Sequence, residues 1–237
     1  VTDPGRRDEL ALRLAEVRSR IAKACEAAGR EASELTLVAV TKTRPASDVR
    51  LLSELGVTDI GENRDAEAAP KAAECADLGL ENLTWHFIGQ LQTNKCASVV
   101  RYASVVHSVD RHRLIGALGK AARRAGRVIE CLVEVSLDGD PARGGAVAGE
   151  VPALAEALAA EEGLVLGGVM AVAPLSMPPA DAFARLRVSA AAVRGVRPDA
   201  TVISAGMSGD LEAAVEAGAT HLRIGTALLG DRGPRVG

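Results

Sequence analysis

Lys42 follows a short apolar, β-branched run, in Leu35-Thr36-Leu37-Val38-Ala39-Val40-Thr41-Lys42-Thr43-Arg44-Pro45. Of 28 basic residues only five are lysines: Lys23, Lys42, Lys71, Lys95 and Lys120. The other four fall in segments of helical character or at their starts, where solvated ammonium groups are expected. Lys42 instead stands at a strand end, close to an apolar core. Burial disfavours the charged form of an amine, and a neutral amine is a nucleophile able to form a Schiff base with an aldehyde. The plain alternative is a rim lysine paired with Glu62 or another carboxylate, and position alone leaves the two readings even.

A second group of residues suits an anion. Ser204-Ala205-Gly206-Met207-Ser208-Gly209-Asp210 follows another β-branched run and leads into a helix, and Arg223-Ile224-Gly225-Thr226 follows the next. Small residues let backbone N–H groups approach a phosphate closely, and a helix start favours negative charge. Serines and glycines also cap helices with no ligand at all, but two such loops in succession favour the phosphate reading. An amine on one side and a phosphate cradle on the other suggest a phosphorylated aldehyde, of which pyridoxal phosphate is the commonest cofactor.

The elements that must position these groups alternate along the chain. Apolar runs at Leu35–Val40, Val57–Ile60, Trp85–Ile88, Ser104–His107, Val128–Val135, Leu164–Val169, Thr201–Ser204 and His221–Ile224 read as strands. Between them, Ala46–Leu55, Asp65–Ala76, Arg111–Ala125, Val151–Ala160, Ala180–Val193 and Leu211–Ala217 read as helices. Strands alternating with helix-length connections imply parallel βαβ units. Eight of them predict a (β/α)8 barrel, with an open doubly wound sheet as the alternative, and functional groups at the C-terminal strand ends. Residues 6–29 carry Leu10, Leu14, Val17, Ile21, Cys25 and Ala28 at three- and four-residue spacing, an amphipathic helix. Only 13 residues, Gly225–Gly237, follow the last strand. The first helix is therefore expected to fill the gap in the outer ring. No linker, repeat or composition shift divides the 237 residues, which read as one domain, 1–237. Gly139–Gly149 reads as a loop between a strand and a helix.

Composition narrows the function. The chain carries 28 Lys plus Arg against 31 Asp plus Glu, a net charge of −3, with 48% hydrophobic residues. Only Trp85, Phe87, Tyr102 and Phe183 are aromatic, so the stacking platform and basic groove that hold nucleic acid are both missing. No apolar run is long enough to cross a bilayer, and the start VTDPGRRDEL lacks the apolar stretch of a signal peptide, so a cytoplasmic protein is expected. Cys25, Cys75, Cys96 and Cys131 form no C-x-x-C pair, and His86, His107, His112 and His221 show no metal-ligand spacing. His107 reads as a hydrogen-bonded core histidine and His221 as a residue of the barrel's stability face. Cys131, Trp85 and Phe87 read as packing, and Glu134 and Asp138 as acids or bases or as a solvated rim. The apolar stripe of the first helix reads as a barrel-facing surface, with a dimer contact as the minority reading.

Together Ala39-Val40-Thr41-Lys42-Thr43, Gly61-Glu62-Asn63-Arg64, Trp85-His86-Phe87-Ile88-Gly89-Gln90-Leu91-Gln92-Thr93-Asn94-Lys95, and Ser204-Ala205-Gly206-Met207-Ser208 with Arg223-Ile224-Gly225-Thr226 resemble the YggS/PROSC family of pyridoxal phosphate homeostasis proteins. The similarity runs from about Leu10 to Asp231 in the family's order. It implies a single alanine-racemase-like (β/α)8 barrel that binds pyridoxal 5'-phosphate, with Lys42 holding it as an internal aldimine. The phosphate would lie on Ser204, Gly206, Met207, Ser208, Gly225 and Thr226, with Asn63 beside the cofactor and Arg223 facing the pyridine nitrogen. An arginine cannot accept a proton, so that nitrogen would stay neutral and the ring would be a weak electron sink. The resemblance thus implies a carrier that buffers or delivers the cofactor with little or no catalysis. Cofactor-dependent apo-enzymes would be its acceptors, and it would be a monomer or weak dimer.

Two departures are Arg143-Gly144-Gly145, where many members carry Lys-x-Gly, and Met170-Ala171-Val172-Ala173-Pro174 after the sixth strand. The rival within the fold is an amino-acid racemase, which needs a second base that the single tyrosine, Tyr102, does not evidently supply. A cofactor-free lysine aldolase is the third reading.

Overall fold

The β-branched runs pair edge to edge in chain order. Among the described residues they give β1 (Thr36–Val40), β2 (Asp59–Glu62), β3 (Thr84–Phe87), β4 (Val105–Val109), β5 (Ile129–Glu134), β6 (Leu164–Met170), β7 (Val202–Ser204) and β8 (His221–Ile224). All neighbours are parallel, and β8 returns to β1 through Thr36 opposite His221 and Ala39 opposite Ile224, closing the barrel. The structure is a computed structural model that describes residues 4–230. The expected barrel is therefore present, and the open sheet is excluded by the β1–β8 pairing.

The outer ring comprises α1 (Pro4–Ala28), α2 (Ala46–Glu54), α3 (Asp65–Asp77), α4 (Cys96–Tyr102), α5 (His112–Ala125), α6 (Val151–Ala160), α7 (Pro179–Val196), α8 (Leu211–Glu216) and the one-turn α9 (Thr226–Leu229). Helix α1 buries Leu10, Leu14, Val17, Ile21 and Cys25 against α8, α9 and α2, where the ring would otherwise be open. Charged clamps fix it there. Arg20 forks onto Glu212 of α8 at 2.9 and 3.0 Å, and Arg6 reaches Asp48 of α2 at 2.7 Å. The apolar stripe is thus barrel-facing, as its spacing predicts.

Helix α4 is not foreseen by the sequence pattern. Its seven residues, Cys-Ala-Ser-Val-Val-Arg-Tyr, carry two β-branched residues and an aromatic, which intrinsically favour strands. Burial of Cys96, Val99 and Val100 overrides that preference. Helix α5 begins at His112 rather than Arg111. The loop at 139–149 holds single 3-10 turns at Pro141–Arg143 and Ala148–Glu150 and bridges Val135 to Ala146. Of the stretch expected after the last strand, residues 231–237 lie outside the described residues, as do residues 1–3 of the start.

The lower barrel interior is not purely apolar. Beside Val105, Leu132 and Met170 it encloses His86, His107, Ser204 and Arg223, each at most 4% exposed.

Candidate functional site

A cavity of about 380 Å³ opens at the C-terminal strand ends, within the range of small-molecule clefts, about 300–1,000 Å³. Lys42 enters it from the β1–α2 turn, half-buried. Thr43, the next residue, has φ +64°, a left-handed conformation that is rare and strained for a β-branched side chain. The turn is held by Arg44 N–H on Thr41 O at 3.0 Å and by Thr43 N–H on Glu67 Oε2 at 3.1 Å.

Beneath that turn lies a buried ion pair. Lys71 Nζ donates to Glu62 Oε1 at 2.5 Å and to Thr41 O at 2.7 Å, while Thr41 Oγ1 donates to Glu62 Oε1 at 2.6 Å. Lys71 is therefore buried, not solvated as its helical position predicts. It lies on the same face of α3 as Ala68, Ala72 and Cys75, all buried, and that stripe of small residues is the one sequence signal of its burial. Glu62 is Lys71's partner rather than Lys42's. Among the described residues Lys42 Nζ has no hydrogen-bond or ion-pair partner, so the paired-rim alternative does not hold.

The loops after β7 and β8 line the same cavity. Met207, Ser208 and Gly209 line it from one loop, Gly225 and Thr226 from the other. The loops are tied together by Ala227 N–H donating to Ser208 Oγ at 3.2 Å, which leaves the Ser208 hydroxyl proton for another acceptor. Asp210 Oδ1 accepts Met207 N–H at 2.6 Å and so shapes the β7 loop. Gly206 supplies the sharp bend: its φ is +90°, and a Cβ there would meet Ala214 Cβ at 2.6 Å.

The structure does not bring Ser204 and Gly206 to the cavity wall. Ser204 is fully buried, and its Oγ accepts from Arg223 Nη1 at 2.7 Å and meets His107 Nδ1 at 2.9 Å. Gly206 is buried beneath its loop. Arg223 reaches the cavity floor, its Nη2 fixed on Ala171 O at 2.9 Å. Burial lowers its guanidinium to about 10, so it remains a cation at neutral pH.

Asn63 lines the wall after β2, backed by Gly89. A Cβ at Gly89 would sit 2.0 Å from Asn63 O, so only glycine permits that approach. Val40, Ile88, Met170 and Val172 supply apolar surface. Glu134 completes the lining, its carboxyl pushed up to about 7 by burial and by Asp110. Asp138 stays on the rim, paired with Arg143 at 3.3 Å, and Arg143 also reaches Val172 O and Ala173 O at 3.3 and 3.4 Å. The Arg143 loop is thereby tied to the segment after β6, at the cavity's edge.

The remaining candidates sit elsewhere. Tyr102 packs edge-on against Trp85 and donates to Asp65 at 3.4 Å, away from the cavity, and burial pushes its phenol upward. Cys131 is fully buried in β5. Among the described residues no three His, Cys, Asp or Glu side chains come together as metal ligands. His107 is a hydrogen-bonded core histidine, as predicted.

Residues 12–233 match the family described as alanine racemase, N-terminal domain. A Mycobacterium tuberculosis protein named pyridoxal phosphate homeostasis protein is 44% identical, over 97% of this chain and 95% of its own length. A crystal structure of an unknown protein from Bifidobacterium adolescentis superposes with a TM-score of 0.88 at 30% identity, covering 96% of this chain and 97% of that one. PipY of Synechococcus elongatus, in a structure with pyridoxal phosphate bound, gives a TM-score of 0.80 at 34% identity over 93% of this chain and 100% of its own.

Proposed function

The chain belongs to the pyridoxal phosphate homeostasis protein family, and from that premise we propose that its cavity holds pyridoxal phosphate, covalently through Lys42 Nζ, for storage and delivery rather than for catalysis. Bound there, the cofactor supplies an aldehyde that condenses reversibly with a primary amine. One observation carries the reading: an amine without a partner shares a cavity of suitable size with a wall of hydroxyl and backbone donors. The only carboxylate of that loop, Asp210, is turned to Met207 N–H. The donor set therefore fits an anion.

In this reading the Ser208 and Thr226 hydroxyls, with the backbone N–H of Gly225, grip the phosphate, while Met207, whose N–H is held by Asp210 Oδ1, serves by the shape of its loop. Asn63 flanks the ring and Arg223 faces its nitrogen. Gly206 and Ser204 serve from beneath, one by shaping the loop and the other by holding Arg223. A guanidinium only donates, so it leaves a facing ring nitrogen unprotonated and the ring a weak electron sink. Met207 and Thr226 are exposed, which gives water, amines and acceptor apo-enzymes access to the site.

The described chain acts as one domain around this cavity. A monomer or weak dimer is part of this reading, supported by α1, whose apolar stripe is buried against the barrel. Four buried free thiols suit a reducing compartment such as the cytoplasm, and no described helix is long and apolar enough to cross a membrane.

Absorption spectroscopy tests the reading. Purified protein mixed with pyridoxal phosphate is expected to gain a visible band that Lys42→Ala loses; an equal band in both would overturn it. A folded protein that never takes up the cofactor would leave the aldolase reading in its place.

A further inference from the structure

The barrel interior of such a fold is ordinarily filled by branched apolar side chains. Here five polar side chains from β2, β3, β4, β7 and β8 form an unbroken line instead. Asp59 Oδ1 meets His86 Nε2 at 3.0 Å, and His86 Nδ1 meets His107 Nε2 at 2.9 Å. His107 Nδ1 meets Ser204 Oγ at 2.9 Å, and Arg223 Nη1 donates to Ser204 Oγ at 2.7 Å. The line begins at Asp59, beside a hollow at the opposite barrel end, and finishes at the cavity floor.

We propose that Asp59, His86, His107 and Ser204 are positioning residues: one polarised hydrogen-bond line that orients the Arg223 guanidinium toward the cavity. The inference rests on the pyridoxal phosphate reading only for what Arg223 meets there.

The two ends fix the polarity. Arg223 can only donate, so Ser204 Oγ accepts from it and keeps its own proton to send to His107 Nδ1. His107 then carries its proton on Nε2 and donates to His86 Nδ1. His86 carries its proton on Nε2 and donates to Asp59, which as a carboxylate only accepts. Every member is satisfied in this direction. The reverse direction would need a second proton on His86, since the Asp59 carboxylate cannot donate to its Nε2. Both imidazoles are thus neutral, as burial of His107 and the nearby Arg223 cation also favour for that ring.

The arrangement keeps the cation available. No carboxylate hydrogen-bonds Arg223; its partners are a hydroxyl and the Ala171 carbonyl, and the line's negative charge sits at its far end. Asp210 and Glu134 act on the guanidinium only through space. The other titratable neighbours stand beside the line. His221 lies 6.0 and 6.4 Å from the His86 and His107 rings but bonds Thr220 at 2.9 Å, and the Glu130 carboxyl, pushed up by burial, faces His86.

Long-range 1H–15N correlation spectra of the labelled, cofactor-free full chain test the polarity. His86 and His107 are expected to be neutral with the proton on Nε2; an Nδ1–H tautomer or an imidazolium at either would overturn the proposal, whether or not the cofactor binds. Pyridoxal phosphate is then added while the visible band is followed. The His107 nitrogens are expected to shift more than those of His221. A band with His107 unmoved contradicts the line, whereas an absent band contradicts the reading of the cavity alone. In Ser204→Ala, retention of pyridoxal phosphate should fall roughly tenfold and the His107 response should vanish, with circular dichroism unchanged. Retention and response both preserved would overturn the proposal. Should that variant fail to fold, the tautomers of the native chain decide between the two polarities by themselves.

Discussion

Side chains at the cavity divide into those that meet a ligand and those that hold the first group in place. Lys71 and Glu62 belong to the second. Truncating one member of a buried ion pair strands the other's charge and typically costs about 3–5 kcal/mol. Lys71→Met is expected to lose stability on that scale in urea unfolding and to loosen the Thr41 turn that carries Lys42. Ser208→Ala and Thr226→Val remove donors to a charged group, each worth about 1.5–3 kcal/mol. Each should weaken cofactor retention in equilibrium dialysis by roughly tenfold or more without moving the visible band.

Glu134 gives a pH signature. Its carboxyl is raised from 4.5 to about 7 in the folded chain, chiefly by burial. The folded state therefore binds the proton more tightly than the unfolded one. The stability this group contributes is complete below about pH 4.5 and is lost as pH rises through about 7. Glu134→Gln should flatten that part of the profile of melting temperature against pH; parallel profiles for the two proteins would contradict it.

Elements show where periodicity is readable and where it fails. The strand runs are legible because each is β-branched and bounded by polar helices, and α1 is legible from its three- and four-residue spacing. Leu14→Ala in α1, fully packed against the ring, should cost about 2–5 kcal/mol. Helix α4 escapes because short buried helices follow packing rather than propensity. Ser208 and Ser204 look alike in a glycine-serine loop, yet one faces the cavity and the other the barrel interior. Only the bend at Gly206 separates them. Gly89 likewise reads as an ordinary turn residue until the neighbouring strand brings Asn63 against it. Gly89→Ala is expected to displace Asn63 and weaken cofactor retention, with the loss read by dialysis alongside an intact circular dichroism spectrum.

At the scale of the molecule, closure of the barrel is what assembles the site. Lys42, Asn63, Glu134, Ser208, Arg223 and Thr226 come from the ends of five strands around the ring and lie together only because β8 pairs with β1. The polar line beneath them is invisible in the sequence for the same reason, since its five members are contributed by five strands and no local spacing relates them. Every role assigned to the cavity depends on the Lys42 amine, and chemical trapping reads that amine directly. The protein is loaded with pyridoxal phosphate, reduced with borohydride, digested and mapped by mass spectrometry. A single pyridoxyl modification is predicted, on the peptide that contains Lys42. Modification at Lys23, Lys71, Lys95 or Lys120 with Lys42 left free would contradict it.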